Sequence, residues 1–222
     1  MWCLPEVTPE FLQRMEEVLA LYEKPYDPDQ PLVCFDEKSK QLIKDTRKVL
    51  STATGKARRK DHEYKRNGTR NLFLAVEPKG GYRRVTVTER RTGRDFAKEV
   101  EKIASLKRYQ KAKRLHIVLD NLNTHGAHSL TEAFGEEKTA LLMEKIRFHH
   151  TPVHASWLNM AEIELAVLTS QCIKGRIPTE AKLKERVRHW QTARNRKKAM
   201  IAWRFTRAKA RETFKYKPAI LN

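Results

Sequence analysis

No apolar run in this chain approaches 18 residues, so no part of it reads as a membrane-spanning helix. Glycine is sparse, 8 in 222 residues, and no glycine-rich phosphate loop occurs, which leaves nucleotide hydrolysis without support. The three cysteines, Cys3, Cys34 and Cys172, are odd in number, widely spaced and set in apolar context. They exclude a disulfide framework and read as reduced thiols of a cytoplasmic protein. His149, His150, His154 and Cys172 lack the paired spacing of a zinc site. The opening Met-Trp-Cys-Leu-Pro-Glu has neither a basic n-region nor an apolar h-region, so secretion is not expected. Internal repeats and low-complexity segments are also missing.

Positive charge, by contrast, is abundant. Lys and Arg number 46 against 27 acids, a formal net charge of +19. A solvated surface accounts for many charges of both signs, but so large an excess of one sign implies a polyanionic partner, nucleic acid ahead of an acidic membrane surface. The excess is concentrated. From Lys174 to Asn222 there are 16 Lys or Arg and 3 acids, a balance of +13, with Trp190, Trp203, Phe205, Phe214 and Tyr216 interleaved. The aromatics can anchor helices while the cations face a phosphate backbone. Arg58, Arg59 and Lys60, together with Arg194, Arg196, Lys197 and Lys198, are the expected DNA-binding residues.

At this length the chain fits one domain with appendages. The spacing predicts a helix over 9–22 with Thr8 as N-cap and Pro9 at its first position. Pro25, Pro28 and Pro31 then break the chain. Residues 51–70 read as an exposed basic loop or irregular ribbon. A hairpin is expected from Asn71–Glu77 and Arg84–Thr88 across Pro78-Lys79-Gly80-Gly81. Helices follow at 95–110, about 129–145, 157–173 and from the Thr179 cap to the mid-190s, with strands ending at Asp120 and near Phe148. The pattern gives an α/β class built on a mixed sheet flanked by helices. Residues 1–30 form an N-terminal helix and linker, 31–175 the core, and 176–222 a basic helical segment packed on it.

Three acids stand out. Asp36 closes the apolar run Leu32-Val33-Cys34-Phe35, Asp120 closes Leu115-His116-Ile117-Val118-Leu119, and Glu162 lies just inside a helical run. Buried strands that deliver carboxylates to one sheet edge would make a hard, oxygen-rich pocket of the kind Mg²⁺ or Mn²⁺ selects. Two such ions clamp the attacking and leaving oxygens of a phosphodiester. Each acid alone also fits a turn or cap. Periodicity does not separate Glu162 from Glu164, which flank the core stripe at similar angles. Glu37 competes with Asp36 but points to the opposite strand face and is expected outside the pocket. Asn121, His125, His154 and Asn159 are supporting candidates, the histidines either orienting phosphate or water or serving structure. Trp157 reads as a core anchor or a stacking platform for a base.

Cys-Phe-Asp-Glu (34–37), Val-Leu-Asp-Asn-Leu-Asn-Thr-His (118–125), Thr-Pro-Val-His-Ala-Ser-Trp-Leu-Asn-Met-Ala-Glu-Ile-Glu (151–164) and the terminal Trp-Arg-Phe-Thr (203–206) resemble the DDE transposases. Among these they look most like the bacterial insertion-sequence members of the mariner superfamily. The resemblance covers nearly the whole chain. It implies a ribonuclease-H-like fold, an acid triad of Asp36, Asp120 and Glu162 that is both catalytic and metal-binding, and two Mg²⁺ (or Mn²⁺) ions. It further implies cut-and-paste transposition on double-stranded DNA, at element ends and target. A dimer on DNA and a bacterial, nucleoid-associated cytoplasmic location go with that reading. The Asp120–Glu162 gap of 42 positions exceeds that of the best-known animal members. Residues 1–30 leave no room for the end-reading helix-turn-helix of the group. The chain is therefore expected to be a catalytic core, from a truncated copy or from one part of a gene read in two frames. Alternative readings are a non-catalytic DNA-binding remnant and a structure-selective nuclease of the same fold.

Overall fold

In the computed structural model, residues 7–47, 62–122 and 124–217 are described. A five-stranded sheet runs in the order β3-β2-β1-β4-β5. Its strands are β1 (Leu32–Asp45), β2 (Tyr64–Glu77), β3 (Tyr82–Thr88), β4 (Leu115–Leu119) and β5 (Ile146–His150). β1, β2 and β3 form an antiparallel meander, whereas β4 and β5 run parallel to β1. The meander needs only tight turns. The parallel strands need helical crossovers, which α2 (Gly93–Ala104), α3 (Ala127–Phe134) and α4 (Glu136–Lys145) provide.

Both sheet faces are covered. α2 and α3 bury Phe96, Val100 and Leu130 against Phe35, Phe73 and Ile117 on one face, and α4 adds the partly buried Leu142 and Met143. On the other, α1 (Pro9–Glu23), α5 (Met160–Leu168), α6 (Glu180–Arg196) and α7 (Arg207–Phe214) pack Met15, Leu165, Val187 and Ala210 over Cys34, Leu74 and Val118. Coverage on both sides explains why Asn71–Glu77 is buried without alternation.

The caps at Thr8 and Thr179 fall where the sequence places them. Other boundaries differ. β1 does not end at Asp36 but continues nine residues to Asp45, paired with β2 across a register shift between Gln41 and Ile43. Residues 64–70, expected as loop, are strand because that pairing satisfies their backbone despite their polar, exposed side chains. The expected helix at 129–145 breaks at Gly135, whose φ of 82° interrupts the ladder between α3 and α4. The run 157–173 divides into a 3₁₀ turn (Ser156–Leu158), α5 and a π turn (Thr169–Ile173), with Asn159 capping α5. No described helix is long and apolar enough to cross a membrane.

The basic C-terminal segment is bound to the core by ion pairs as well as by apolar contacts. Arg211 is held by Glu16 (2.7 Å) and Arg207 by Glu23 (2.7 Å), both acids of α1. Phe214 meets Phe11 edge-on at 5.9 Å.

Candidate active site

The parallel β1–β4 pairing covers only Leu32–Cys34 opposite His116–Val118. Asp36 and Asp120 each lie two residues past the last pair, Cys34 and Val118, so the register sets them abreast where the strands part. Backbones of neighbouring strands stand roughly 5 Å apart, which leaves both carboxyls at one edge. Asp36 is half-buried and accepts from the Glu37 amide (2.7 Å).

Glu162 reaches the same edge from α5. Asn159 is fully buried and does two things there: its Oδ1 accepts from Ala161 N (3.1 Å) to cap the helix, and its Nδ2 donates to Phe35 O (2.9 Å). The start of α5 is thereby tied to the residue preceding Asp36, with Glu162 exposed in the first helical turn. Tyr22 of α1 adds a second tie, donating to Leu158 O at 2.7 Å.

The electrostatics report the convergence. Burial pushes the Asp36 carboxyl up to about 7; its hydrogen bond from Glu37 works against this, and the charges of Asp120, Glu37 and Glu162 add to the rise. Among the described residues neither Asp36 nor Glu162 has a basic partner, in a molecule with a net charge of +19. All three donors are carboxylates, the hard set that suits a small divalent cation, and the donor chemistry fits one. No three described His, Cys, Asp or Glu side chains are already arranged as a ligand cage.

Glu164 is placed quite differently. It is fully buried and clasped by Arg83 Nε (3.0 Å) and, in a fork, by Arg194 Nε (2.6 Å) and Nη2 (2.9 Å). The acid that periodicity leaves equivalent to Glu162 is thus occupied in joining α5 to β3 and α6. The same contact turns Arg194 inward, away from the DNA-binding role expected of it, because its guanidinium is engaged by Glu164. Arg196, Lys197 and Lys198 are exposed at the end of α6. Arg58, Arg59 and Lys60 lie outside the described residues.

His125 is buried beside the site. Its Nδ1 donates to Asp120 Oδ1 (2.5 Å), and its Nε2 stands 3.1 Å from Glu37 Oε2, off the line of a good hydrogen bond. Burial alone would lower the imidazole pKa, but contact with the Asp120 and Glu37 carboxylates outweighs it and raises the value to about 9. Glu37 does point to the face opposite Asp36, as expected, yet it is joined to Asp120 through this ring. Spacing along β1 carries no sign of that link. The polar density after Asp120 was the only local signal of it.

Asn121 is exposed next to Asp120. His154 is exposed on the turn before α5 with a φ of 60°, beside Arg14 and Glu10 of α1. His149 bonds to His116 (2.9 Å), and His150 Nε2 donates to His125 O (2.7 Å). Trp157 is partly exposed and meets Phe205 edge-on at 5.4 Å.

A mixed five-stranded sheet, helices on both faces and acids gathered where parallel strands part define the ribonuclease-H-like class. The sequence profile of the DDE superfamily endonucleases matches residues 31–184, well over half of the chain, and the chain belongs to that family. No curated protein matches the sequence. Among solved structures, the Mos1 mariner paired end complex with Mn superposes with a TM-score of 0.58 at 16% identity, over 90% of this chain and 60% of that one. The Mos1 strand transfer complex gives 0.56 at 15% identity, over 87% and 57%. The Mos1 paired end complex with Mg gives 0.51 at 15%, over 90% and 62%. At such identities the likeness is one of fold. The chain spans about 60% of the length of these Mos1 chains.

Proposed function

We propose that this chain is the catalytic core of a DNA transposase, cleaving strands at element ends and joining the freed 3′-hydroxyl to target DNA. The observation that supports the reading is the β1–β4 register that sets Asp36 abreast of Asp120, with the charge of Glu162 near enough to act on Asp36 and no basic partner for Asp36 or Glu162 among the described residues. The family assignment and the Mos1 complexes, formed with transposon ends and with Mg or Mn, support it.

Asp36, Asp120 and Glu162 would hold two divalent ions, Mg²⁺ or Mn²⁺. When bound, these would supply an activated water and charge neutralisation at the phosphate and leaving oxygen. Asp36 must give up the proton that burial and its acidic neighbours favour before it can serve as a ligand. Asn159 holds the Glu162-bearing helix to β1. Arg196, Lys197 and Lys198 would grip the duplex backbone within a C-terminal DNA-holding part, 176–222, beside the 31–175 core. Dimerisation on DNA and a separate helix-turn-helix part to read element ends complete the proposal.

Nicking of supercoiled plasmid in millimolar Mg²⁺ tests it. Glu162→Gln and Asp120→Asn should abolish nicking while DNA affinity stays near that of the parent protein. Undiminished nicking in either variant would refute the triad. A parent protein that binds DNA but never nicks would instead be a DNA-binding remnant.

A further inference from the structure

We propose that Glu37 is a positioning residue of the carboxylate site, acting through His125 to fix the orientation of Asp120. The inference rests on reading Asp36, Asp120 and Glu162 as the cation-holding acids.

Glu37 lies on β1 next to Asp36 but faces the α2 side of the sheet. Its side chain is 5% exposed. Residues 35 and 73 on that face are phenylalanines stacked at 5.7 Å, so an apolar side chain would satisfy packing there. A carboxylate in such a place is costly unless its charge is answered. The answers are His125 Nε2 at 3.1 Å and, from the rim, Arg91 Nη1 at 3.6 Å.

His125 is held in every other respect. Its ring stacks on Phe96 with centroids 4.7 Å apart and planes 25° from parallel. Its amide donates to Leu122 O (2.9 Å), and its carbonyl accepts from His150 (2.7 Å). The freedom left to the imidazole is rotation in its own plane's slot, and the two ring nitrogens are rigidly linked. The 3.1 Å charge contact of Nε2 with Glu37, though off the line of a hydrogen bond, therefore holds Nδ1 toward Asp120 Oδ1 at 2.5 Å. Asp120 Oδ2 has no protein donor among the described residues, so one oxygen is pinned and the other is available to the site. Outer partners that orient a ligating group in this way typically contribute 10–100-fold to metal affinity.

Mn²⁺ binding, followed by the electron paramagnetic resonance of the free ion with melting temperature alongside, tests the proposal without reference to cleavage. Glu37→Gln should weaken Mn²⁺ about 10-fold with melting near that of the parent. His125→Gln should weaken it at least as much. The double variant should bind no more weakly than His125→Gln alone, because Glu37 then has nothing left to act through. Unchanged affinity in Glu37→Gln, or losses that add in the double variant, would overturn the proposal, the latter by showing a direct effect of charge. If either glutamine variant fails to fold, Glu37→Met and His125→Asn take their places with the same expectations. Asp36→Asn is the separate control. Should it leave Mn²⁺ binding intact, the acid-site reading itself fails, whatever Glu37 does.

Discussion

Replacing Glu164 by glutamine removes one negative charge from the interior without changing the shape of the side chain. Three guanidinium nitrogens, Arg83 Nε and Arg194 Nε and Nη2, donate to that carboxylate within 3.0 Å. Arg83 is fully buried and cannot swing to water. It also donates to Gly81 O and Ala199 O, and its backbone is bracketed by Asn195, which accepts from its amide and donates to its carbonyl, both at 2.8 Å. The variant therefore faces two cations with no anion between them. Breaking a buried pair by deleting one partner costs about 3–5 kcal/mol. For a domain of this size each kcal/mol moves the melting temperature by about 2–4 °C, so the expected loss is roughly 6–20 °C. Circular dichroism melting at pH 7 measures it. Glu162→Gln, at an exposed position without a partner among the described residues, should stay within about 0.5 kcal/mol of the parent. A Glu164→Gln protein that melts within about 2 °C of the parent, or that keeps its stability and loses only nicking, would refute the division of labour between the two glutamates.

Stability should depend on pH in two windows when divalent ions are chelated. Asp36 has its pKa raised from 3.8 to about 7, so the folded chain holds that proton more tightly than the unfolded one, and the stability present below pH 4 is lost as pH rises to 7. His125 is raised from 6.5 to about 9, so its contribution is complete below 6.5 and lost as pH climbs through 9. Asp36→Asn should erase the first window, raising the melting temperature at pH 8 while abolishing nicking; equal pH profiles for variant and parent would contradict the assigned environment. DNA affinity should fall with salt by roughly 0.9 log units per log unit of salt for each phosphate contacted. Alanine at Arg196, Lys197 or Lys198 should each lower that slope by about 1 in fluorescence anisotropy titrations. Arg194→Ala should instead lower the melting temperature, because it strips Glu164 of its fork.

Much of the fold was legible because local chemistry and tertiary demand agree there. Thr8 and Thr179 cap helices whose apolar stripes meet the sheet, and the Pro78–Gly81 turn joins two strands that pair antiparallel directly across it. The outer half of β1 and residues 64–70 were not legible. Their side chains are polar, and their strand conformation comes from pairing with each other, not from any local apolar pattern. The break at Gly135 was hidden for a related reason, since a lone glycine inside an apolar period is compatible with a continuous helix.

Within the site, residue order was sufficient to establish an excess of cations, three carboxylates at the ends or starts of apolar segments, and the motif register that singles out Glu162. Periodicity alone could not decide between Glu162 and Glu164, and nothing in residue order revealed Arg194 as an interior ion-pair partner or connected Glu37 to Asp120. Periodicity reports the face of an element that a side chain occupies. Its charge partner depends on which surfaces are pressed together, and here that means α6 and β3 closing on α5, and the loop after β4 carrying His125 beneath the edge of β1.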